Sequence, residues 1–188
     1  YGHSLINNPE WPKGHILEKF IPYQKLTNKK VLEIGCGAGL VSQHLAMTGS
    51  DLTTIDITEK AIELTKKRFY LNKIKRKIIK MDAENIRFNN DFFNYIISWG
   101  VIHHSGNMNK IIDEIYRVLN PNGKAFIMVY NKNSLRYRFY CLFWLGIIRG
   151  QLLKKNIDQI AGSITDGYIA RHLTEKDVSI LFSKFRNI

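Results

Sequence analysis

Val31-Leu32-Glu33-Ile34-Gly35-Cys36-Gly37-Ala38-Gly39 decides how this chain reads. Val31 to Ile34 is a short apolar run that suits a buried strand, and three glycines follow at alternate positions. Small residues there let the backbone turn tightly and approach a ligand that a Cβ would block. Leu40 to Met47 then reads as a helix. A glycine pattern alone is weak evidence. Its context adds a strand before it, a helix after it and an acid, Asp56, about 20 residues on at the end of the next strand. That acid is placed to accept hydrogen bonds from both hydroxyls of a ribose.

The spacing narrows the choice of nucleoside. A dinucleotide loop reads GxGxxG, whereas this one reads GxGxG with Leu40 at the would-be sixth position, which disfavours a nicotinamide oxidoreductase. Glu33 stands two residues before the first glycine. Adenosylmethionine has no pyrophosphate to place on a helix N-terminus. It carries an ammonium and a sulfonium, and nearby acidic charge suits both.

Outward from the loop, apolar runs alternate with amphipathic stretches. Leu52 to Asp56 reads as a strand. Glu59 to Asn72 reads as a helix with Thr58 as N-cap, since a hydroxyl there accepts from free backbone N–H groups. Lys77 to Met81 and Tyr95 to Trp99 are strands. Lys110 to Leu119 is a helix, and Asn120 to Gly123 is a turn before the strand Lys124 to Tyr130. Such alternation predicts an α/β fold, a Rossmann-like, doubly wound, mostly parallel sheet with helices on both faces. Ligands in such sheets bind at the carboxyl ends of the strands, where strand order reverses. The length suits one domain over residues 1–188. Two parts stand outside the alternation: a helix at Gly14 to Leu26 and a cap-like insertion at 134–167. A late helix follows at Glu175 to Phe185 with Thr174 as its N-cap. Arg186-Asn187-Ile188 reads as the start of a further strand, so C-terminal strands are expected beyond it.

Composition bounds the partners. Apolar residues make up 45% and aromatics 12%, which excludes a disordered chain. The net charge of +12 invites anionic partners, although lysines scattered over solvated faces account for it equally well. Cys36 and Cys141 are far apart and form neither a disulfide framework nor a zinc cluster, which fits a reducing cytoplasm. No set of ligand spacing implies a metal. Tyr1 to Glu10 shows no basic-then-apolar leader. The apolar run Phe139 to Ile148 is about half of the ~20 residues a spanning helix needs.

VLEIGCGAG resembles the first motif of the class I methyltransferases, and the likeness continues past it. Thr54-Ile55-Asp56-Ile57 is similar to the second-strand motif, whose acid holds the ribose. Lys80-Met81-Asp82-Ala83-Glu84 is similar to the motif after the third strand, which meets the adenine. Ser98-Trp99-Gly100-Val101-Ile102-His103-His104 resembles the fourth-strand motif of the small-molecule, type 11-like branch. Arg117-Val118-Leu119-Asn120-Pro121-Asn122-Gly123 is similar to that branch's turn before the fifth strand, with Asn122 where a glycine is commoner. The likeness runs from Lys30 to Asn131. It implies a methyltransferase using S-adenosylmethionine, with S-adenosylhomocysteine as product. It implies a cofactor pocket of Glu33, Gly35, Cys36, Gly37, Gly39, Asp56, Ile57, Asp82, Ala83, Trp99 and Gly100.

Methyl transfer needs alignment more than acid–base help, but a hydroxyl or carbon acceptor still benefits from a base. His103 and His104, just past the fourth strand, are the catalytic candidates; packing beside the cofactor is the alternative role. His3, His15 and His172 read as surface histidines, and Cys36 has no partner base that would make it a nucleophile. The expected acceptor is a small molecule, lipid-like or glycan-linked. The charge keeps a nucleic-acid methyltransferase open, against which stands the absence of an Asn/Asp-Pro-Pro-Tyr/Phe motif. A non-catalytic adenosylmethionine-binding protein is the third reading. The stretch 135–149, aromatic and edged by arginine, reads as a helix capping the active site, an interfacial helix meeting a membrane, or a dimer contact. Its apolar residues lie all round, which predicts burial on two sides. Arg171 and His172 read either as ligands of an anionic acceptor or as loop fasteners.

Overall fold

Strand pairing puts the glycine stretch at the middle of a sheet. A computed structural model describes residues 16–134, 136–162 and 171–186. The positions His3, Gly14, His15, Leu135, 163–170, Asn187 and Ile188 lie outside that range. The strands are β1 (Lys30–Ile34), β2 (Asp51–Asp56), β3 (Lys77–Lys80), β4 (Phe93–Trp99) and β5 (Leu119–Met128), in the order β3-β2-β1-β4-β5. β1 pairs in parallel with both β2 and β4, and β2 pairs in parallel with β3. Strand order therefore reverses between β1 and β4, the point at which a Rossmann-like sheet opens a ligand crevice. Val31, Leu32, Glu33 and Ile34 are all buried, as a central parallel strand requires.

Helix α1 (Leu40–Met47) follows β1 and α2 (Glu59–Leu71) follows β2. Thr58 caps α2 as expected, its hydroxyl accepting from the Ala61 N–H at 3.3 Å. Helix α3 (Met108–Val118) runs directly into β5. The expected turn at Asn120–Gly123 thus lies within the bounds of β5. Its local chemistry survives, because the Asn122 N–H donates to Asn120 Oδ1 at 3.1 Å. Pro121 lies on β5, which is at the edge of the sheet among the described residues, where a missing N–H leaves fewer ladder bonds unmade.

The helix expected at Gly14 to Leu26 is instead two short 3₁₀ turns, Ile16–Lys19 and Tyr23–Lys25. Pro22 lies between them; it has no N–H and pushes Ile21 away from helical geometry. The turns are held by burial, since Leu17, Ile21, Tyr23 and Leu26 join Val31, Leu45, Leu52, Phe69 and Ile97 in one core cluster.

The chain divides into two compact units. One holds residues up to Trp99 together with Arg117–Ile127, and the other holds Gly100–Tyr116 and Met128–Ile188. In the second, strand β6 (Tyr130–Asn131) pairs in parallel with β7 (His172–Leu173). Between them runs a wide π-type helix, Arg136–Ile148, then a 3₁₀ turn, Gln151–Leu153, and α4 (Ile157–Gly162). The wide helix is buried on one stripe only, where Cys141 and Leu145 meet Ile160 and Ile157. That corrects the expectation of two buried sides; Phe139, Phe143, Trp144, Ile147 and Ile148 are exposed. Helix α5 (Glu175–Leu181) ends earlier than expected but has its capping box, with Thr174 and Asp177 bonded reciprocally.

Candidate functional site

In the first unit the loop after β1 is built by three glycines in left-handed backbone, with φ of 82° at Gly35, 51° at Gly37 and 76° at Gly39. A Cβ on Gly39 would stand 2.9 Å from Thr65 Oγ1 and 3.1 Å from Thr65 Cα, so glycine is what lets α1 start against α2. A Cβ on Gly37 would meet no atom within 4 Å, and that side of the loop is open. The loop is fastened from below, since Gly35 and Cys36 N–H donate to Ile55 O at 2.8 and 3.2 Å.

Asp56 ends β2 and closes on the same loop. Its Oδ2 accepts from the Gly37 N–H at 3.1 Å. Its Oδ1 accepts from the Thr58 N–H at 2.9 Å and the Thr58 hydroxyl at 2.8 Å. Ile57, next along, is exposed. The Met81 N–H donates to Asp56 O at 2.9 Å and so brings the end of β3 alongside. There Asp82 Oδ1 accepts from the Glu84 N–H at 2.8 Å, a turn that presents Asp82 to solvent with Ala83 half-buried beside it. Asp56, Ile57, Asp82 and Ala83 thus gather with Gly35 to Gly39 at the carboxyl ends of β1, β2 and β3.

Glu33 lies below this group. Its side chain is 3% exposed, and its Oε2 accepts from the Ser42 hydroxyl and, at 2.6 Å, from the Thr54 hydroxyl. Burial raises its pKa to about 7; the two hydroxyls pull it back down and Asp56 pushes it up. Cys36, also buried, has its thiol pushed up to about 11, chiefly by burial. It is a neutral packing group rather than a thiolate. Trp99, at the end of β4, is half-buried with its ring 6.3 Å from Phe20.

Two residues of α2 were not singled out from the sequence. The Thr65 hydroxyl donates to Gly37 O at 3.3 Å, and Arg68 Nε donates to Ala38 O at 2.7 Å while its Nη1 reaches Gln43 Oε1 at 3.2 Å. They fix the carbonyls of the glycine loop. Their signal was only a pair of polar residues three apart on a helix that starts just after Asp56.

The second unit carries Gly100 and the histidines. Gly100 has φ of 75°, and the 3₁₀ turn Ile102–His104 follows. His103 is fully buried, with neither ring nitrogen hydrogen-bonded. Its ring lies 4.2 Å from His104 and 3.9 Å from Tyr130, and Tyr130 lies 5.4 Å from His172. Burial, then His104, then His172, lowers the His103 pKa to about 4. At neutral pH it is an uncharged imidazole and a weak base. His104 and His172 are half-buried. Tyr130 was missed in the sequence because only pairing of β6 with β7 brings it between the histidines. Arg171 is settled as a fastener: it donates to Ser105 O at 2.6 Å and Gly106 O at 3.0 Å, while its own N–H donates to His103 O at 3.1 Å. No group of three metal-ligating side chains occurs among the described residues.

Comparison with known proteins bears on the family and the fold. The ubiquinone biosynthesis O-methyltransferase of Rickettsia akari is 27% identical over 172 residues, which are 88% of this chain and 66% of that protein. The enzyme of the same name from Pelagibacter ubique is 33% identical over 129 residues, 65% of this chain and 53% of that one. This chain therefore spans less than two thirds of the length of these relatives. Among solved structures, a SAM-dependent methyltransferase from Methanosarcina mazei superposes with a TM-score of 0.66 at 24% identity, over 90% of this chain and 82% of that one. Another from Aquifex aeolicus gives 0.58 at 20% identity, over 71% and 76%. At such identities these two carry the fold alone. The family model described as "Methyltransferase domain" covers residues 32–127, from β1 through β5, and the chain belongs to that family.

Proposed function

We propose that this protein transfers a methyl group from adenosylmethionine to a hydroxyl of a small, lipid-like acceptor. The observation that carries the reading is the bond from the Gly37 N–H to Asp56 Oδ2, which holds an acid suited to a ribose beside an open glycine loop. A carboxylate offers about four acceptor sites, and three are taken by Gly37 and Thr58. One ribose hydroxyl takes the free site, and the second displaces the rotatable Thr58 hydroxyl. Exposed Ile57 offers an apolar surface to the adenine, and Asp82 accepts from its amino group. The buried acid Glu33, about half ionised at pH 7, adds partial negative potential under the loop, on the side where the ammonium and sulfonium would lie.

Bound adenosylmethionine supplies an electrophilic methyl that needs no further activation. What the chain supplies is alignment, which can lower a barrier by ~7–11 kcal/mol in favourable cases. Within the second unit His104 is the candidate base for a hydroxyl acceptor, and neutral His103 holds the stack with Tyr130 in place. Relatives named for O-methylation in ubiquinone biosynthesis support an oxygen acceptor of lipid-like character. The two buried free cysteines suit a reducing compartment such as the cytoplasm.

Calorimetry of adenosylmethionine, adenosylhomocysteine and NAD with the parent and Asp56→Ala tests the cofactor. Adenosyl ligands should bind the parent and fail on the variant, and NAD should not bind. NAD binding without the adenosyl ligands would overturn the proposal. A screen of lipidic hydroxyl compounds with labelled adenosylmethionine then identifies the acceptor.

A further inference from the structure

The helix Arg136–Ile148 is apolar well beyond what its own packing uses. Its inner stripe, Cys141 and Leu145, is covered by Ile160 and Ile157. Gly146 permits this, because a Cβ there would come within 3.0 Å of the Leu152 side chain and 3.1 Å of Cys141 O. The outer face is uncovered: Phe139 is 67% exposed, Trp144 47%, Ile147 58% and, in the following turn, Leu153 90%. Phe143 and Ile148 belong to the same outer set. A contiguous aromatic and aliphatic face of this kind on one segment is what water-soluble surfaces avoid.

The charges of the segment 136–157 are of one sign, and Asp158 is the first acid after it. Between positions 136 and 157 the sequence has Arg136, Arg138, Arg149, Lys154 and Lys155, and neither Asp nor Glu. Arg149, Lys154 and Lys155 are exposed beside the apolar residues. Among the described residues no helix is long and apolar enough to cross a bilayer. Apolar side chains outward, basic groups at the edge and insufficient length to span are the features of a helix that lies in the headgroup region of a membrane.

We infer that this helix and the turn after it form a docking face for an anionic lipid surface. A second copy of the chain fits worse, because a two-fold contact would bring Arg149, Lys154 and Lys155 against the same three positive charges. Nucleic acid would satisfy the bases but leave the exposed aliphatic residues in water. The inference goes beyond methyl transfer and does not depend on it.

Sedimentation with phosphatidylcholine vesicles, with and without phosphatidylglycerol, tests it on the full chain. The protein should co-sediment only when the anionic lipid is present, and less as salt rises. The pair Phe143→Glu and Trp144→Glu should weaken binding at least about tenfold, and neutralising Arg149, Lys154 and Lys155 to Gln should abolish the preference for phosphatidylglycerol. Circular dichroism and adenosylhomocysteine calorimetry on the same variants check the fold. Loss of that nucleoside in the parent sinks the methyl-transfer reading and leaves this one standing. If the aromatic pair fails to fold, quenching of tryptophan emission by brominated phosphatidylglycerol in the unaltered chain, removed by Trp144→Phe, carries the test. Indifference of the parent to vesicles, or equal binding by the aromatic variant, would overturn the inference. So would a dimer dispersed by Trp144→Glu, or RNA retained where vesicles are not.

Discussion

Asp56 and Gly37, 19 positions apart in sequence, are joined by one hydrogen bond of 3.1 Å from backbone N–H to carboxylate. The acid that suits a ribose is thus also what tethers the loop that a methionine chain would cross. Asp56→Ala removes both. Hydrogen bonds to a charged group contribute about 1.5–3 kcal/mol each, so adenosylhomocysteine affinity should fall at least about tenfold. Calorimetry reads this directly, and unchanged affinity would remove Asp56 from the ribose.

Gly37 and Gly39 should fail in different ways. Gly39→Ala puts a methyl 2.9 Å from Thr65 Oγ1 at a φ of 76°, so it should cost stability, of order 1–3 kcal/mol by denaturant unfolding. Gly37→Ala meets no atom within 4 Å. It should lose less stability and more adenosylhomocysteine affinity, because its methyl points into open space over the loop. Equal stability losses would contradict the assignment of Gly37 to the ligand side.

Glu33 and His103 should pull the pH dependence of stability in opposite directions. Glu33 has its pKa raised from 4.5 to about 7, so the folded chain holds its proton longer. Its contribution is full at low pH and is lost as pH rises through that window, by up to about 3 kcal/mol. His103 is lowered from 6.5 to about 4, so its contribution is full above 6.5 and is lost as pH falls toward 4. Between 4.5 and 6.5 the two slopes offset each other. Thermal midpoints across that range should be nearly flat in the parent. They should rise with pH in Glu33→Gln and fall with pH in His103→Gln. Parallel curves for all three proteins would rule out both assignments.

Arg171 should matter through the backbone it grips. Its guanidinium donates to two successive carbonyls, Ser105 and Gly106, a fork that lysine's single ammonium does not reproduce. Arg171→Ala and Arg171→Lys should both speed amide exchange at His104 and Ser105, whose N–H groups close the 3₁₀ turn. Adenosylhomocysteine binding should stay within about twofold of the parent, since these are partly exposed neutral-acceptor bonds far along the chain from Asp56.

The glycine-loop cluster of the first unit was readable because it is local. Glycines, a strand, a helix and Asp56 fall within one βαβ unit, where spacing alone nearly fixes geometry. The histidine cluster of the second unit was readable only as residue types. His103 is buried and His172 is its neighbour because β6 and β7 pair across a long excursion, and no period in the sequence encodes that pairing. Glu33 shows the same limit. An acid on a strand edge of the loop could face ligand or core, and hydroxyls at Ser42 and Thr54, nine and 21 positions away, draw it inward. The N-terminal segment misled because its apolar spacing is helical while Pro22 is not.

The two-residue ladder of Tyr130–Asn131 with His172–Leu173 pins both ends of everything between them. Closing a loop costs entropy that grows only with the logarithm of its length, about 0.6 kcal/mol per doubling. The segment between these strands can therefore lengthen, shorten or be exchanged while the fasteners around His103 stay as they are. The two pinned strands thus frame an interchangeable piece, through which descendants of this chain could be fitted to different surroundings.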